Sequence, residues 1–191
     1  MLDTTSHFDR LYESQGRAFG CQPDPELLAA LAHVQSGRVV DLGGGQGRHC
    51  LPLARMGLEV EVVDISERAL RQVTQEATRE GLEISGVCSD VVRYEPPSEV
   101  RAIVAALLLH LPAVHLSVRV AERLGSALGE GGLFYLSLPG FDEERVRFAG
   151  RILHSAGCVD HRVVNHVVTR RERPRLPVPR RNETRAVGFK R

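Results

Sequence analysis

Three aspartates and one run of glycines are the residues whose types and spacing point to chemistry. The first group is Val39-Val40-Asp41-Leu42-Gly43-Gly44-Gly45-Gln46-Gly47. An apolar strand that runs into a glycine turn and then a helix presents backbone N–H groups at the helix start. Without Cβ atoms in the way, a ligand approaches that backbone closely. The glycines do not keep the dinucleotide spacing G-x-G-x-x-G: counted from Gly43 the sixth position is Arg48, and from Gly45 it is Cys50. They follow D-x-G-x-G-x-G instead. An aspartate just ahead of the turn is poor company for a pyrophosphate and suits a ligand carrying an ammonium group. The second acid is Asp64, in Val62-Val63-Asp64-Ile65-Ser66. At a strand end beside the turn, a carboxylate accepts hydrogen bonds from both hydroxyls of a ribose. The third is Asp90, in Cys88-Ser89-Asp90-Val91; there a carboxylate accepts from an exocyclic adenine amine while the next backbone N–H donates to a ring nitrogen. Each also has a plain architectural reading: a turn fitting helix to strand, a helix-capping Asp64, a loop Asp90.

These residues need elements to position them, and the apolar patterning supplies them. Short β-type runs cover 38–42, 59–63, 84–88, 101–108 and 133–138. They are nearly continuously apolar, as parallel strands covered on both faces should be. Helical patterns alternate with them. Ser66 N-caps one, with Leu70, Val73 and Ala77 at helical spacing and Gly81 as the stop. Pro112 opens the next, with Leu116, Val120 and Leu124 as its stripe; Asp142 caps another that Gly157 closes. Pro52 requires the helix after the glycines to begin near Arg48 or His49. The predicted fold is α/β: a doubly wound, mostly parallel, seven-stranded Rossmann-like sheet. It ends in an antiparallel hairpin, because 159–168 and 184–189 are β-type runs joined by the loop RRERPRLPVPRR with no helix between them. Residues 1–191 form a single domain, in which 1–35 are a helical cap, with Asp24 capping a helix over 25–34, and 36–191 are the ligand-binding core.

S-adenosylmethionine carries an ammonium and no phosphate, whereas the ribose alone does not separate it from NAD. The series DLGGGQGRH, EVVDIS, CSDV and LGEGGLFYLS resembles the motifs of class I S-adenosylmethionine-dependent methyltransferases. The terminal hairpin also matches that family's sheet. The stretch GQGRHCLPLARMGLEVEVVDISERAL is most similar to small members of the tellurite-resistance and thiopurine methyltransferase type. The resemblance implies that Asp41 and Gly43, Gly44 and Gly45 hold the methionine part and Asp64 the ribose. It places Asp90 and Val91 at the adenine, Ile65 on one adenine face, and the Ala105 backbone near the methionine amine. Where many members have Phe-Asp this chain has Val100-Arg101. Residues 105–112 contain neither Asp/Asn-Pro-Pro-Tyr nor Pro-Cys, which argues against DNA-base modification.

Methyl transfer from a sulfonium is an in-line displacement on an activated electrophile, so a general base is dispensable. His110 is the candidate base for a hydroxyl or thiol acceptor, or a packing residue beside Pro112. Tyr12 and Phe8 either form a lid over the sulfonium or anchor the N-terminal helix. The chain carries a net charge of +1 over 191 residues, which excludes a bulk electrostatic partner for nucleic acid or membrane. Residues 170–181 hold six Arg against one Glu, but their three prolines and lack of aromatics suit a solvated connection better than RNA contact. The four cysteines show no Cys-x-x-Cys pair, so neither zinc nor a disulfide scaffold is expected, and Cys50 and Cys88 read as buried free thiols. No histidine spacing suggests a metal. The opening stretch MLDTTSHFDRLYES lacks a basic-then-apolar signal pattern, and no apolar run is long enough to span a bilayer. The expectation is a cytoplasmic methyltransferase acting on a small-molecule acceptor. The alternatives are a non-catalytic S-adenosylmethionine-binding module, an RNA methyltransferase, or an NAD(P)-dependent oxidoreductase.

Overall fold

Apolar runs that are covered on both faces must find helices for each face, and the described residues supply six. The computed structural model describes residues 4–14, 17–32, 34, 36–169 and 180–190. Helices α1 (Thr4–Ser14) and α2 (Pro25–Leu31) come first, then β1 (Arg38–Leu42), α3 (Cys50–Arg55), β2 (Glu59–Asp64), α4 (Glu67–Glu80) and β3 (Ile84–Cys88). β4 (Val100–Ala106), α5 (Val114–Ala127), β5 (Leu128–Pro139), α6 (Glu143–Ser155), β6 (Cys158–Thr169) and β7 (Arg180–Lys190) complete the order. The seven strands form one sheet in the order β3-β2-β1-β4-β5-β7-β6. β1 to β5 run parallel, and β7 pairs antiparallel with both β5 and β6, so the predicted terminal hairpin is present.

Alternation along the strands sends successive side chains to opposite faces. Val40, Leu42, Ile103, Phe134 and Leu136 pack with Val120 and Leu124 of α5 and with Ala149 and Leu153 of α6. On the other face, Val39, Val62, Val104 and Tyr135 pack with Leu27 of α2, Leu51 of α3 and Val73 of α4. Each such large apolar side chain contributes about 1.5–3 kcal/mol on burial. Helix ends follow the sequence signals. Ser66 accepts from the Ala69 N–H at 3.1 Å and Asp142 from the Arg145 N–H at 2.9 Å. Gly81, at φ 67°, takes the left-handed turn that ends α4.

Several expectations are corrected. β3 is an edge strand and largely exposed, so it is not covered on both faces. α5 begins at Val114 with Ala113 as N-cap, two residues after Pro112. α2 stops at Leu31, and Asp24 stands at its N-cap position without making a side-chain cap bond. Its carboxylate is drawn instead into buried ion pairs. Cys50 is buried, but Cys88, on the edge strand, is exposed. The basic loop of residues 170–179 lies outside the described residues; Arg180 and Arg181 belong to β7 rather than to the connection. No helix among the described residues is long and apolar enough to cross a membrane.

Strand order reverses between β1 and β4. In open parallel sheets the crevice beyond the strand ends at that point is where ligands bind.

Candidate functional site

The crevice at the β1/β4 switch is a cavity of about 1050 Å³. Single-ligand pockets run to roughly 300–1,000 Å³, so it has room for two molecules. Gly43, Gly44 and Gly45 form one wall, Ala106, Leu107 and Leu108 another, and α1 lies over it through Thr5, Phe8 and Tyr12.

The glycine turn admits no other residue at its centre. A Cβ at Gly44 would come within 2.5 Å of Val62 Cγ2, and one at Gly45, where φ is 51°, within 2.7 Å of the Tyr12 hydroxyl. Asp64 closes the turn from the β2 side: its Oδ2 accepts from the Gly45 N–H and its Oδ1 from the Ser66 N–H, both at 2.9 Å. Burial raises the Asp64 carboxyl, against the pull of these backbone donors. A carboxylate has about four lone-pair sites, so two remain for hydroxyl donors. At the end of β3, Ile65, Asp90 and Val91 line the cavity with Asp64. Asp90 Oδ1 accepts from the Val92 N–H at 2.9 Å, and Arg123 clamps the same loop from α5 through the Val91 and Val92 carbonyls.

Not every predicted site residue faces the cavity. Asp41 sits behind the turn, 1% exposed; its Oδ2 accepts from the Cys50 N–H at 3.1 Å, and its Oδ1 has no hydrogen-bond partner among the described residues. Burial pushes its carboxyl up to about 7, opposed by Arg48 and that N–H and reinforced by Asp64 and Asp24. Ala105 is fully buried and outside the lining, where Ala106 takes its place. His110 is exposed and also outside the lining. Tyr12 does line it, 5% exposed, with its ring stacked on Phe8 at 6.0 Å and edge-on to Phe19 at 6.4 Å. Burial and the Asp64 and Asp9 carboxylates drive its phenol far up, so it stays protonated.

Sequence reasoning missed Arg48, His49, Gln46 and Phe19, which also line the cavity. Gln46 ties the N-terminal segment to the turn by accepting from the Ala18 N–H at 2.9 Å. Arg48 and His49 begin a buried ionic cluster centred on Asp24. Arg48 donates to both Asp24 oxygens at 2.8 and 3.3 Å, Arg185 Nη2 lies 2.9 Å from Oδ1, and the Tyr135 hydroxyl donates to Oδ2 at 2.7 Å. His49 Nε2 lies 3.3 Å from the same Oδ2. Arg185 also reaches Glu26 of α2 and Glu183 of β7. Burial pushes the Asp24 carboxyl up, but Arg48, His49 and Arg185 outweigh it and hold the group well below the usual carboxylate range. Two charged residues directly after a glycine turn were the available signal. Among the described residues no His, Cys, Asp or Glu group is arranged to hold a metal.

Residues 39–132 match a family model described as a methyltransferase domain. No curated protein sequence matches the chain. Solved structures with the same fold include TehB from Haemophilus influenzae, 14% identical with a TM-score of 0.70 over 98% of this chain and 67% of that one. Magnesium protoporphyrin IX methyltransferase (ChlM) from Synechocystis PCC 6803, solved with bound S-adenosylmethionine, is 16% identical with a TM-score of 0.68 over 96% and 94%. The [4+2]-cyclase SpnF is 14% identical with a TM-score of 0.70 over 97% and 95%. At these identities the likeness is one of fold.

Proposed function

With a methyltransferase domain over residues 39–132 and the fold of the class I S-adenosylmethionine-dependent methyltransferases as premises, we propose that the protein transfers a methyl group from S-adenosylmethionine to a small-molecule acceptor by in-line displacement. The observation that carries this reading is one cavity lined by the glycine turn, Asp64 and Asp90, the residues that suit an ammonium-bearing, phosphate-free adenosine ligand. The donor set fits. The cradle at Gly44 and Gly45 is one that any Cβ would fill, and Asp64 keeps lone pairs for two ribose hydroxyls. Gly43 to Gly45 hold the methionine part through their backbone, and Asp41 acts on it from behind by fixing the turn. Asp64 takes the ribose, Asp90 and Val91 the adenine edge, and Ile65 an adenine face. Tyr12 and Phe8 cover the donor. When bound, the cofactor supplies an activated methyl group on a sulfonium.

What the chain contributes is placement and the exclusion of water. Holding two reactants in line removes the entropy of bringing them together, and α1 closes the cavity above them. Calorimetry tests the reading. S-adenosylhomocysteine binds and NADH does not; tight NADH binding with no response to S-adenosylhomocysteine overturns it.

A further inference from the structure

Resting on the methyl-transfer reading, a further inference concerns the acceptor: we propose that His49, held by Asp24, takes the proton from an acceptor that carries a hydroxyl or thiol on a neutral, apolar body. Once the donor has claimed the glycine turn, Asp64, the β3 edge and the Phe8 and Tyr12 rings, the rest of the lining is largely apolar, with Phe19, Ala106, Leu108, Leu111 and Leu116, and its ionisable groups are Arg48 and His49. Burying a charged acceptor against such a wall is costly unless an opposite charge faces it. The lining offers one guanidinium, Arg48, and that is turned onto both oxygens of Asp24. An anionic acceptor therefore finds no uncommitted cation among the described lining residues.

The remaining ionisable groups sort themselves by position. Cys88 lies at the β3 edge with Ser89 and Asp90, at the donor end, and Tyr12 stays protonated beside Asp64. His49 is left as the imidazole of the lining, a side chain whose neutral ring can accept a proton. It occupies the N-cap position of α3, 3% exposed, where the glycine turn delivers it to the cavity. The groups facing it are Asp24 from the start of α2, its neighbour Arg48, and the Tyr135 ring of β5 at 6.3 Å. Arg185 of β7 reaches it through Asp24. A carboxylate 3.3 Å from one imidazole nitrogen stabilises the imidazolium that forms. Asp24 is thus a positioning residue, itself fixed by two guanidiniums and the Tyr135 hydroxyl.

The step balances. The acceptor's O–H or S–H bond breaks and its proton passes to His49. The freed electron pair bonds to the methyl carbon, and the methyl–sulfur bond breaks with its electrons going to sulfur. His49 then returns its proton to water.

Two probes test the assignment: 4-nitrophenol, a neutral hydroxyl acceptor below its ionisation, and thioanisole, a neutral thioether acceptor with no proton to lose. In the S-adenosylhomocysteine complex the ratio of phenolate to phenol in bound 4-nitrophenol, read from its absorbance, exceeds that in solution at least about tenfold, and His49→Gln abolishes the excess. S-adenosylhomocysteine affinity is unchanged in that variant. Turnover of 4-nitrophenol falls about 100-fold in His49→Gln, while turnover of thioanisole changes by less than about threefold. Equal losses for both probes, or no loss for the phenol, overturn the proposal. Should the variant fail to fold, the wild type decides: single-turnover methylation of the phenol slows at least about twofold in deuterium oxide, as a proton in transfer at the transition state requires, and that of thioanisole does not. Equal slowing for both overturns it. If S-adenosylhomocysteine binds but only selenite or ethanolamine is methylated, the acceptor assignment fails and the methyl-transfer reading stands; if S-adenosylhomocysteine does not bind, that reading fails first.

Discussion

The ionic cluster around Asp24 and the acid pair behind the glycine turn bury carboxylates equally deeply and resolve the cost in opposite ways. Asp24 and Asp41 are both 1% exposed. Asp24 meets two guanidiniums, a phenol and an imidazole, and its carboxyl falls well below the ordinary range. Asp41 accepts from one backbone N–H with Arg48 pulling only from a distance, and burial, reinforced by two neighbouring carboxylates, raises its carboxyl to about 7. Burial by itself predicts neither outcome; the partners decide. The cluster joins α2, the glycine turn, β5 and β7 into one unit. Behind the turn, Asp41 keeps one oxygen without a hydrogen-bond partner among the described residues, while Asp64 accepts from two backbone donors.

The largest expected effect breaks the cluster. Arg185→Met removes one cation from Asp24, Glu26 and Glu183 together, and should cost about 3–5 kcal/mol in urea unfolding. A loss under about 1 kcal/mol would mean that Arg48 carries Asp24 alone. Next in size, Asp64→Ala should weaken S-adenosylhomocysteine binding by about 1.5–3 kcal/mol by calorimetry, with Asp64→Asn losing less. An unchanged affinity in the folded variant would remove the ligand from this side of the contrast. The smallest effect is a slope. Because the folded carboxyl of Asp41 titrates at about 7 against 3.8 for the free group, the folded chain keeps a proton that the unfolded chain releases between those values. Stability contributed by this group is therefore full below about 4, falls as pH rises to about 7 and is level above, by on the order of 1 kcal/mol per pH unit. Asp41→Asn keeps an acceptor for the Cys50 N–H and lacks the proton equilibrium. Its unfolding free energy should gain on the wild type across that window, and parallel curves would refute the raised carboxyl.

Legibility in the sequence followed the same division. Asp41, Asp64 and Asp90 are marked by their own strands and by the glycine turn, all local patterns, so their placement at successive strand ends was readable. Asp24 was not. Beside Pro25 it has every local mark of a helix cap, and nothing nearby shows that Arg48 and Arg185, the latter near the far end of the chain, will claim it. The exposure of β3 depends on its being the last strand in the sheet, a fact of strand order rather than of its five residues. His49 was hidden beside the more conspicuous glycines, while His110, at a strand end, attracted a role for which the structure puts it outside the cavity lining.

The helix over the cavity carries one more consequence. α1 packs through a satellite cluster of Tyr12, Ala18 and Ala69 with Phe8, Leu11 and Phe19 at its border, separate from the two main cores. Its polar ties include Ser66 to Asp9 and Arg68 to Glu13, the latter at 3.1 Å and well exposed. So small a cluster opens at far lower free energy than the sheet. Any molecule seated beneath α1 touches Phe8 and Tyr12 and is linked to the closed form by mass action. The ordering of this helix is then a gauge of occupancy.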